Sequence, residues 1–245
     1  MNLEHIIELA LSVNEVDHTK GPATAHVTVV EYGDFECPMC KQAAPAVELM
    51  LNKFAAKVRF VYRHFPLEEI HPHALLAAEV AEIAGGQGKF WSMHDLLFDN
   101  QSHLKAKQLR GYADKLEMDL VRYDQEIKGE VYRQRIREQI DGGRRSGVRA
   151  TPTFFINGKI HDVSYGIQHL LEGVEGELQK SVVTEILKDG HNSVIGAIET
   201  KPDGSQILRD ENGKVRGYYD PSTDHTRGSD QRILAKGNLL RTLIC

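Results

Sequence analysis

The sequence predicts an α/β protein, and three observations carry that prediction. A β-branched run at Val27–Val30 is followed by Cys37 and Cys40, which open a helical pattern. A second short apolar strand pattern begins at Val58, and a third follows Pro152 far downstream. A strand, a helix and a second strand in this order form a right-handed crossover with a parallel strand pair.

Composition favours a globular protein. The chain has 245 residues, of which 41% are hydrophobic and 27% charged, and a chain of this length can bury a core without disulfides. The net charge of −5 gives no reason to expect nucleic acid or an anionic membrane as a partner. No apolar run approaches the roughly 20 residues that a membrane-spanning helix needs.

The first residues, MNLEHIIELALSVNEV, predict an amphipathic helix within residues 1–20. Glu4, His5 and Glu8 interrupt any apolar core of a signal peptide, and no Lys/Arg cluster precedes it. We therefore expect a cytoplasmic protein, where thiols are mostly kept reduced, or a periplasmic one if a leader has been removed.

The stretch DFECPMCKQ contains the two closely spaced cysteines. Gly33 and Asp34 end the first strand, and Pro38 falls in the first helical turn, where its missing N–H costs nothing. Unpaired N–H groups and the helix dipole favour a thiolate at Cys37, so its pKa should lie below about 8.5. Cys40, one turn further on, can attack a mixed disulfide on Cys37 and release the partner.

Two other roles for the cysteine pair stay open at this point. A mixed metal site is one, because four histidines lie downstream at His64, His71, His73 and His94. Zinc normally takes about four ligands, however, and there is no second cysteine pair. A purely structural pair is the other alternative.

The segment GVRATPTFFINGK predicts a hairpin near the end of the α/β region. Thr153–Ile156 is a strand opened by proline, and Asn157-Gly158 is a strong hairpin turn signal. A further strand is expected at about Lys159 to Val163, with a helix from about 165 to 180.

This order of motifs resembles the thioredoxin superfamily and, within it, the bacterial DsbA-like disulfide oxidoreductases. The segments VEYGDFECPMC, HPHALLAAEVAEIAGGQGKFWSMHDLLFDNQ and GRRSGVRATPTFFINGK carry the resemblance, which covers about residues 21 to 180. It implies a thioredoxin fold at 21–187, with a helical subdomain inserted at about 67–145. Residues 190–245 are expected to form a separate small β-hairpin module.

The resemblance implies roles for the four residues of the Cys-Pro-Met-Cys centre. Cys37 matches the exposed nucleophile and Cys40 the resolving thiol, with Pro38 and Met39 between them. The implied reaction is thiol–disulfide exchange with protein or peptide disulfides and dithiols, supported by an unidentified redox partner. It requires no metal and no cofactor.

Three more residues follow from the same resemblance. Pro152 matches a proline that the family keeps cis, which would aim the backbone of Thr151 at a substrate chain; the alternative is an ordinary trans strand entry. Glu31 matches a buried acid near the resolving thiol, where it could accept the Cys40 proton. The alternative is a salt bridge of Glu31 with Arg59 or Arg63.

Helical periodicity fills the inserted region. Gly85-Gly86 ends an Ala/Leu helix, and several more helical patterns follow up to Arg145. Trp91, Met93 and Phe98 are either part of a substrate groove or simple core packing.

The tail predicts a small meander of hairpins. Turn signals separate four short β runs, at 194–199, 205–209, 214–219 and 231–235. Four short strands make a marginal core, so docking on a partner or homodimerisation is expected. Cys245 is either a third redox position or has no catalytic part.

The sequence thus predicts an oxidoreductase, with two alternatives. Pro38-Met39 lacks the histidine of strongly oxidising relatives, and Thr151 before the proline is typical of family isomerases and reductases, so reduction or redox repair is favoured over net oxidation. A redox-switched binding protein and a glutathione-dependent enzyme acting on small molecules are the other hypotheses.

Overall fold

The structure is a computed structural model that describes residues 8–164, 166–180, 183–201 and 204–244. It divides into two compact units, one ending at Val174 and the other beginning at Glu175. Each is described separately below.

A mixed five-stranded sheet forms the centre of the first unit. Its strands are β1 (His18–Lys20), β2 (Val27–Gly33), β3 (Val58–His64), β4 (Thr153–Ile156) and β5 (Lys159–His161), in the order β1-β3-β2-β4-β5. Only β2 and β3 are parallel, and the other three pairings are antiparallel. The sheet, with its helices, confirms the predicted thioredoxin-like α/β class.

Helices connect these strands and follow them. They are α1 (Pro38–Phe54), α2 (Ala74–Gly85), α3 (Phe90–Asp99), α4 (Ala106–Lys115), α5 (Leu120–Lys128), α6 (Arg133–Arg145) and α7 (Gln168–Lys180). Helix α1 makes the crossover from β2 to β3, whereas α2–α6 lie between β3 and β4 in the chain. Across the described ranges, none of the helices is long and apolar enough to cross a membrane.

The predicted N-terminal helix is wrong where the structure describes it. Between residues 8 and 20 the chain forms no helix: Glu8 makes an isolated bridge to Lys159, and β1 pairs with β3. Arg63 fixes this segment, because its guanidinium donates to the Leu11 carbonyl at 2.8 Å and to both oxygens of Asp17. These tertiary contacts outweigh the helical pattern. The residues that begin that pattern, 1–7, lie outside the described part.

The two faces of the first sheet pack against different partners. One face, with Tyr32 and Phe155, packs on α2 and α6 through Ala78, Ile136 and Ile140. The other face carries an aromatic cluster that joins β3 to the end of β2 and to α3; its members include Phe35, Tyr62, Phe90, His94 and Phe98. Successive strand residues point to opposite faces, so neighbours in sequence contribute to different clusters.

The second unit is a six-stranded antiparallel meander. Its strands are β6 (Val183–Lys188), β7 (Val194–Thr200), β8 (Gln206–Asp210), β9 (Val215–Asp220), β10 (His225–Gly228) and β11 (Ile233–Lys236), paired in chain order. A 3-10 helix, Leu240–Leu243, follows them. Its core contains Leu187, Ile198, Leu208 and Leu240.

The number of strands in this unit corrects the prediction of four. Strand β6 precedes the point at which the predicted module begins, and its side chains are mostly exposed. Strand β10 has the sequence HTRG, which shows no apolar alternation. Both strands are defined by backbone pairing with a neighbour, which periodicity cannot detect.

Candidate active site

The cysteine pair lies at the junction between β2 and α1. Cys37 is the N-cap of α1, with φ −75° and ψ 119°, and Pro38 opens the helix. The backbone N–H of Cys37 donates to the Asp34 carbonyl at 3.1 Å, and the Cys37 carbonyl accepts from the Lys41 N–H at 3.3 Å. The first cysteine therefore sits beside the unpaired N–H groups of the helix start.

Both sulfurs are free thiols and both are buried. Cys37 is only 6% exposed, which corrects the expectation of an exposed nucleophile, because its sulfur packs 3.2 Å from the Thr151 carbonyl, which accepts from the thiol when Cys37 is protonated. Cys40 is fully buried and its sulfur accepts from the Asp34 N–H at 3.4 Å.

The two thiols have opposite acid strengths. A hydrogen bond from the Cys40 thiol lowers the pKa of Cys37 most; burial opposes this, while the Thr151 hydroxyl and the amides of Cys40 and Met39 assist, and the pKa falls to about 5. The pKa of Cys40 is raised, first by burial and then by its hydrogen bond to Cys37 and the charge of Glu31. At neutral pH the pair therefore holds a thiolate at Cys37 and a proton on Cys40.

Thr151 lies directly against Cys37 and precedes Pro152 in the chain. The peptide bond between Thr151 and Pro152 is cis, Thr151 is buried and Pro152 is half-buried. The buried Thr151 hydroxyl has no other hydrogen-bond partner in the described ranges, so it is available to a thiolate on Cys37. A cavity of about 520 Å³ opens beside this turn; it is lined by apolar side chains that include Met39, Pro152, Ile160, Val163 and Ile167.

Glu31 lies in the middle of β2 and is 3% exposed. Burial, and then the negative charge of Cys37, raise the pKa of its carboxyl to about 8. The salt bridge considered for Glu31 does not form with Arg63, which binds Asp17 instead. The strand register explains this outcome: Glu31 is level with Tyr62, while Arg59 and Arg63 point to the opposite face of the sheet.

Two further side chains hold the active-site loop, and the sequence analysis missed both. The buried carboxylate of Asp34 accepts from the Glu36 N–H at 2.7 Å, and from the Leu67 N–H and His71 Nδ1 at 2.8 Å each. The Gln101 amide donates to the carbonyls of Phe35 at 2.9 Å and Cys37 at 2.8 Å. An acidic residue at a strand end hints at Asp34, whereas no local signal marks Gln101, 64 residues beyond Cys37.

Histidines proposed as metal ligands are tied to carboxylates instead. His64 Nε2 lies 3.1 Å from Glu82, His71 Nδ1 lies 2.8 Å from Asp34, and His94 Nδ1 lies 2.8 Å from Asp95. Among the described residues, no group of three His, Cys, Asp or Glu side chains is arranged to hold a metal ion.

The three large side chains considered for a substrate groove, Trp91, Met93 and Phe98, pack in the interior. Met93 and Phe98 are buried, and Trp91 is half-buried with its indole N–H donating to the Thr19 carbonyl at 3.2 Å. None of the three lines the cavity beside Pro152.

The fold and the cysteine pair define a DsbA-like thioredoxin-superfamily protein. A family model described as thioredoxin matches residues 13–175, and the chain belongs to that family. Its structure is similar to that of DsbA2 from Pseudomonas aeruginosa, at 29% identity and a TM-score of 0.56, covering 67% of this chain and 96% of that one. BdbD from Bacillus subtilis, in its oxidised form, shares the fold at 23% identity and a TM-score of 0.60, covering 66% and 93%.

Among curated proteins, the chain is 49% identical over 172 residues to a protein from Salinispora arenicola named Na(+)/H(+) antiporter NhaA 1. The match covers 70% of this chain and 26% of that protein. The chain therefore spans about a quarter of the length of the curated relatives it matches.

Proposed function

We propose that this chain catalyses thiol–disulfide exchange with protein or peptide substrates, with Cys37 as the nucleophile and Cys40 as the resolving thiol. The observation that carries the proposal is the opposite acid strength of two adjacent thiols at a helix start. An ionised sulfur attacks a disulfide, and the neighbouring thiol keeps its proton until the resolving step.

The exchange balances without a cofactor. The Cys37 thiolate attacks one sulfur of a substrate disulfide, which forms a mixed disulfide and releases the first substrate thiolate. Cys40 then loses its proton and attacks the Cys37 sulfur, which breaks the mixed disulfide and releases the second substrate thiolate. Two electrons pass from the cysteine pair to the substrate, and the reverse sequence oxidises a dithiol.

Glu31 is the group we assign to receive the Cys40 proton. The Cys37 thiolate is one of the two causes that keep the Glu31 carboxyl protonated. Formation of the mixed disulfide removes that charge, so the pKa of Glu31 falls at the step that needs a base.

The cavity beside Pro152 supports a peptide substrate over a small thiol. Its volume is about 520 Å³ and its lining is mostly apolar, next to the Thr151 backbone that faces Cys37. An extended segment could place one apolar side chain there while its cysteine reaches Cys37.

The ion transport named for the curated relatives is not what we propose for this chain. The exchange machinery described above lies within residues 31–152, inside the part that matches the thioredoxin family model. The match to the named antiporter from Salinispora arenicola covers only 26% of that protein.

The test combines alkylation with turnover, in a Cys245→Ser background so that two thiols remain. Iodoacetamide should modify Cys37 with a rate midpoint near pH 5, and Cys40→Ala should move that midpoint upward because it removes the strongest stabilising hydrogen bond. Insulin reduction by dithiothreitol should be accelerated over many turnovers by the parent protein and not by Cys37→Ser.

Three results would contradict the proposal. A Cys37 midpoint near about 8.5 would remove its chemical basis. Disulfide exchange that occurs once per molecule would favour a redox switch instead, and turnover that requires glutathione would favour an enzyme acting on small molecules.

A further inference from the structure

Tyr62 lies in β3 with its hydroxyl fully buried. It is level with Glu31 in the parallel register of β2 and β3, so both side chains project from the same face of the sheet. A Cβ added to Gly33 would lie 2.8 Å from the Tyr62 hydroxyl. The phenol therefore ends beside the last residue of β2, next to the active-site loop.

The Tyr62 hydroxyl has no hydrogen-bond partner among the described residues, although it is buried. Most buried side-chain polar groups do have partners, and an unpaired one costs stability. The aromatic ring alone would serve for packing, since it contacts Phe35 with ring centroids 5.3 Å apart and Phe98 with centroids 6.3 Å apart. Packing therefore explains a phenylalanine at this position and not a tyrosine.

Ionisable groups approach Tyr62 from four elements. The start of α1, and β2 with the loop that follows it, contribute acidic groups, while α3 and β3 contribute histidines; the groups are Glu31, Asp34, Cys37, Cys40, His64 and His94. Burial lowers the pKa of His64 and of His94, so both rings stay neutral near neutral pH. The charges that change during exchange are those of Glu31 and the two cysteines.

We propose that Tyr62 is a positioning residue for the resolving step, in which its hydroxyl donates to the negative charge that develops as the proton leaves Cys40 for Glu31. The inference rests on the proposed function of Cys37 and Cys40. In the resting pair the Cys40 thiol and the Glu31 carboxyl are neutral, so the hydroxyl has no anion to bind. Hydrogen bonds in a resting site often tighten only as the reaction proceeds.

Tyr62 acts only as a donor in this scheme. Burial first, and then the charges of Cys40 and Glu31, raise its pKa, so the hydroxyl keeps its proton throughout. No electrons pass through the ring. Glu31 first releases its resting proton to solvent, as formation of the mixed disulfide removes the Cys37 charge. The proton then moves from Cys40 to Glu31, the bond between Cys40 and Cys37 forms, and the bond between Cys37 and the substrate sulfur breaks.

Dithiobis-nitrobenzoate separates the two steps in the Cys245→Ser background. The first thionitrobenzoate is released when Cys37 attacks the reagent, and the second when Cys40 resolves the mixed disulfide. Stopped-flow absorbance across a pH series measures both rates. Tyr62→Phe should slow the second release about tenfold at neutral pH and raise its pH midpoint by about one unit, because a hydrogen bond to a developing charge is lost. The first release should stay within about twofold.

Two further variants distinguish a structural effect of the Tyr62→Phe substitution from the proposed role of the hydroxyl. Tyr123→Phe makes the same change at a buried tyrosine of α5 and should leave both releases unchanged. Fluorotyrosine at position 62 keeps the hydroxyl and makes it a stronger donor. The pH midpoint of the second release should therefore fall, whereas Tyr62→Phe should raise it.

The outcomes distinguish this inference from the proposed function. A second release in Tyr62→Phe with the parent rate and midpoint overturns the role of Tyr62 and leaves the exchange intact. A parent protein that shows no Cys40-dependent second release overturns the proposed function, and the role of Tyr62 with it.

Discussion

Glu31 and Cys37 hold their protons differently from ordinary side chains, and the cause differs between them. The Cys37 pKa falls to about 5 through hydrogen bonds led by that from Cys40, while the Glu31 pKa rises to about 8 through burial and the Cys37 charge. A buried carboxyl with a raised pKa destabilises the fold. Groups of this kind are concentrated at functional sites, so the raised pKa indicates a functional role for Glu31.

Replacing Glu31 should therefore improve stability while impairing exchange. Between about pH 4.5 and pH 8 the folded state of the parent holds a proton on Glu31 that the unfolded state has released, so the free energy of unfolding falls as pH rises. Glu31→Gln removes this loss, and we expect a gain of roughly 3 kcal/mol at pH 7 and almost none at pH 4.

Urea unfolding of the reduced protein at these two pH values measures the gain, and the rate of Cys40 resolution should fall in the same variant. Glu48→Gln, at an exposed position of α1, serves as the matched control. A Glu31→Gln protein that is less stable than the parent at pH 7 would mean that Glu31 is ionised and paired in the fold.

At the scale of secondary-structure elements, a buried ion cluster joins β1, β3, α2 and α6. Glu82 of α2 lies 3.0 Å from His18 Nε2, 3.1 Å from His64 Nε2 and 2.9 Å from Arg135 Nε. His18 also stacks on Phe90, with ring centroids 3.4 Å apart. The cluster fixes the edge of the sheet to the helical insert without touching the cysteines.

Glu82→Gln should destabilise the fold by about 3 kcal/mol at pH 7, because it leaves the Arg135 guanidinium and the ring N–H donors of His18 and His64 without their anion. Burial opposes the ionised form of Glu82, but the hydrogen bonds from His18 and His64 prevail and hold its pKa well below the usual range. With a depressed pKa, the stabilisation is present above the unfolded value of about 4.3 and is lost as pH falls below it.

Chemical denaturation of the parent and of Glu82→Gln at pH 7 and pH 3.5 measures this difference, which should shrink at the lower pH. Asp124→Asn, which breaks an exposed pair with Arg110, should change little at either pH. An equal difference at both pH values would show that packing of Glu82, and not its charge, stabilises the cluster.

At the scale of the whole molecule, we expect the Cys37 thiolate to decide whether the first unit favours oxidation or reduction of its substrates. A pKa of about 5 stabilises the reduced state at pH 7, which makes the oxidised pair a stronger oxidant. This expectation runs against the preference for reduction that we drew from Pro38-Met39 and Thr151, which remains a prediction.

The midpoint potential of the Cys37/Cys40 couple should lie roughly 60 mV above that of a pair with ordinary thiols, since each tenfold stabilisation of the reduced state adds about 30 mV. Equilibration with glutathione buffers of known ratio, followed by quantification of free thiols, gives the value. Cys37→Ser cannot form the couple and serves as the blank. A potential near about −270 mV would support the reductase instead.

The sequence by itself determined the class of fold and predicted the chemistry. The local patterns are two cysteines on either side of a helix-opening proline, a β-branched strand before them and a Thr-Pro strand entry. Such patterns can be recognised without knowing which distant residues they contact. They were enough to predict an α/β fold and the cysteine pair, while the thioredoxin fold and the role of Glu31 were implied by the resemblance that these motifs carry.

Only the tertiary structure decided which residues surround those sulfurs. The face of the sheet that Glu31 shares with Tyr62, the reach of Gln101 to the Cys37 carbonyl and the pairing of Arg63 with Asp17 depend on strand register and helix packing. These contacts join residues 31 to 64 positions apart, and no periodicity of the chain encodes them. The same reason explains why residues 8–20 follow the edge of the sheet rather than the helix that their pattern predicts.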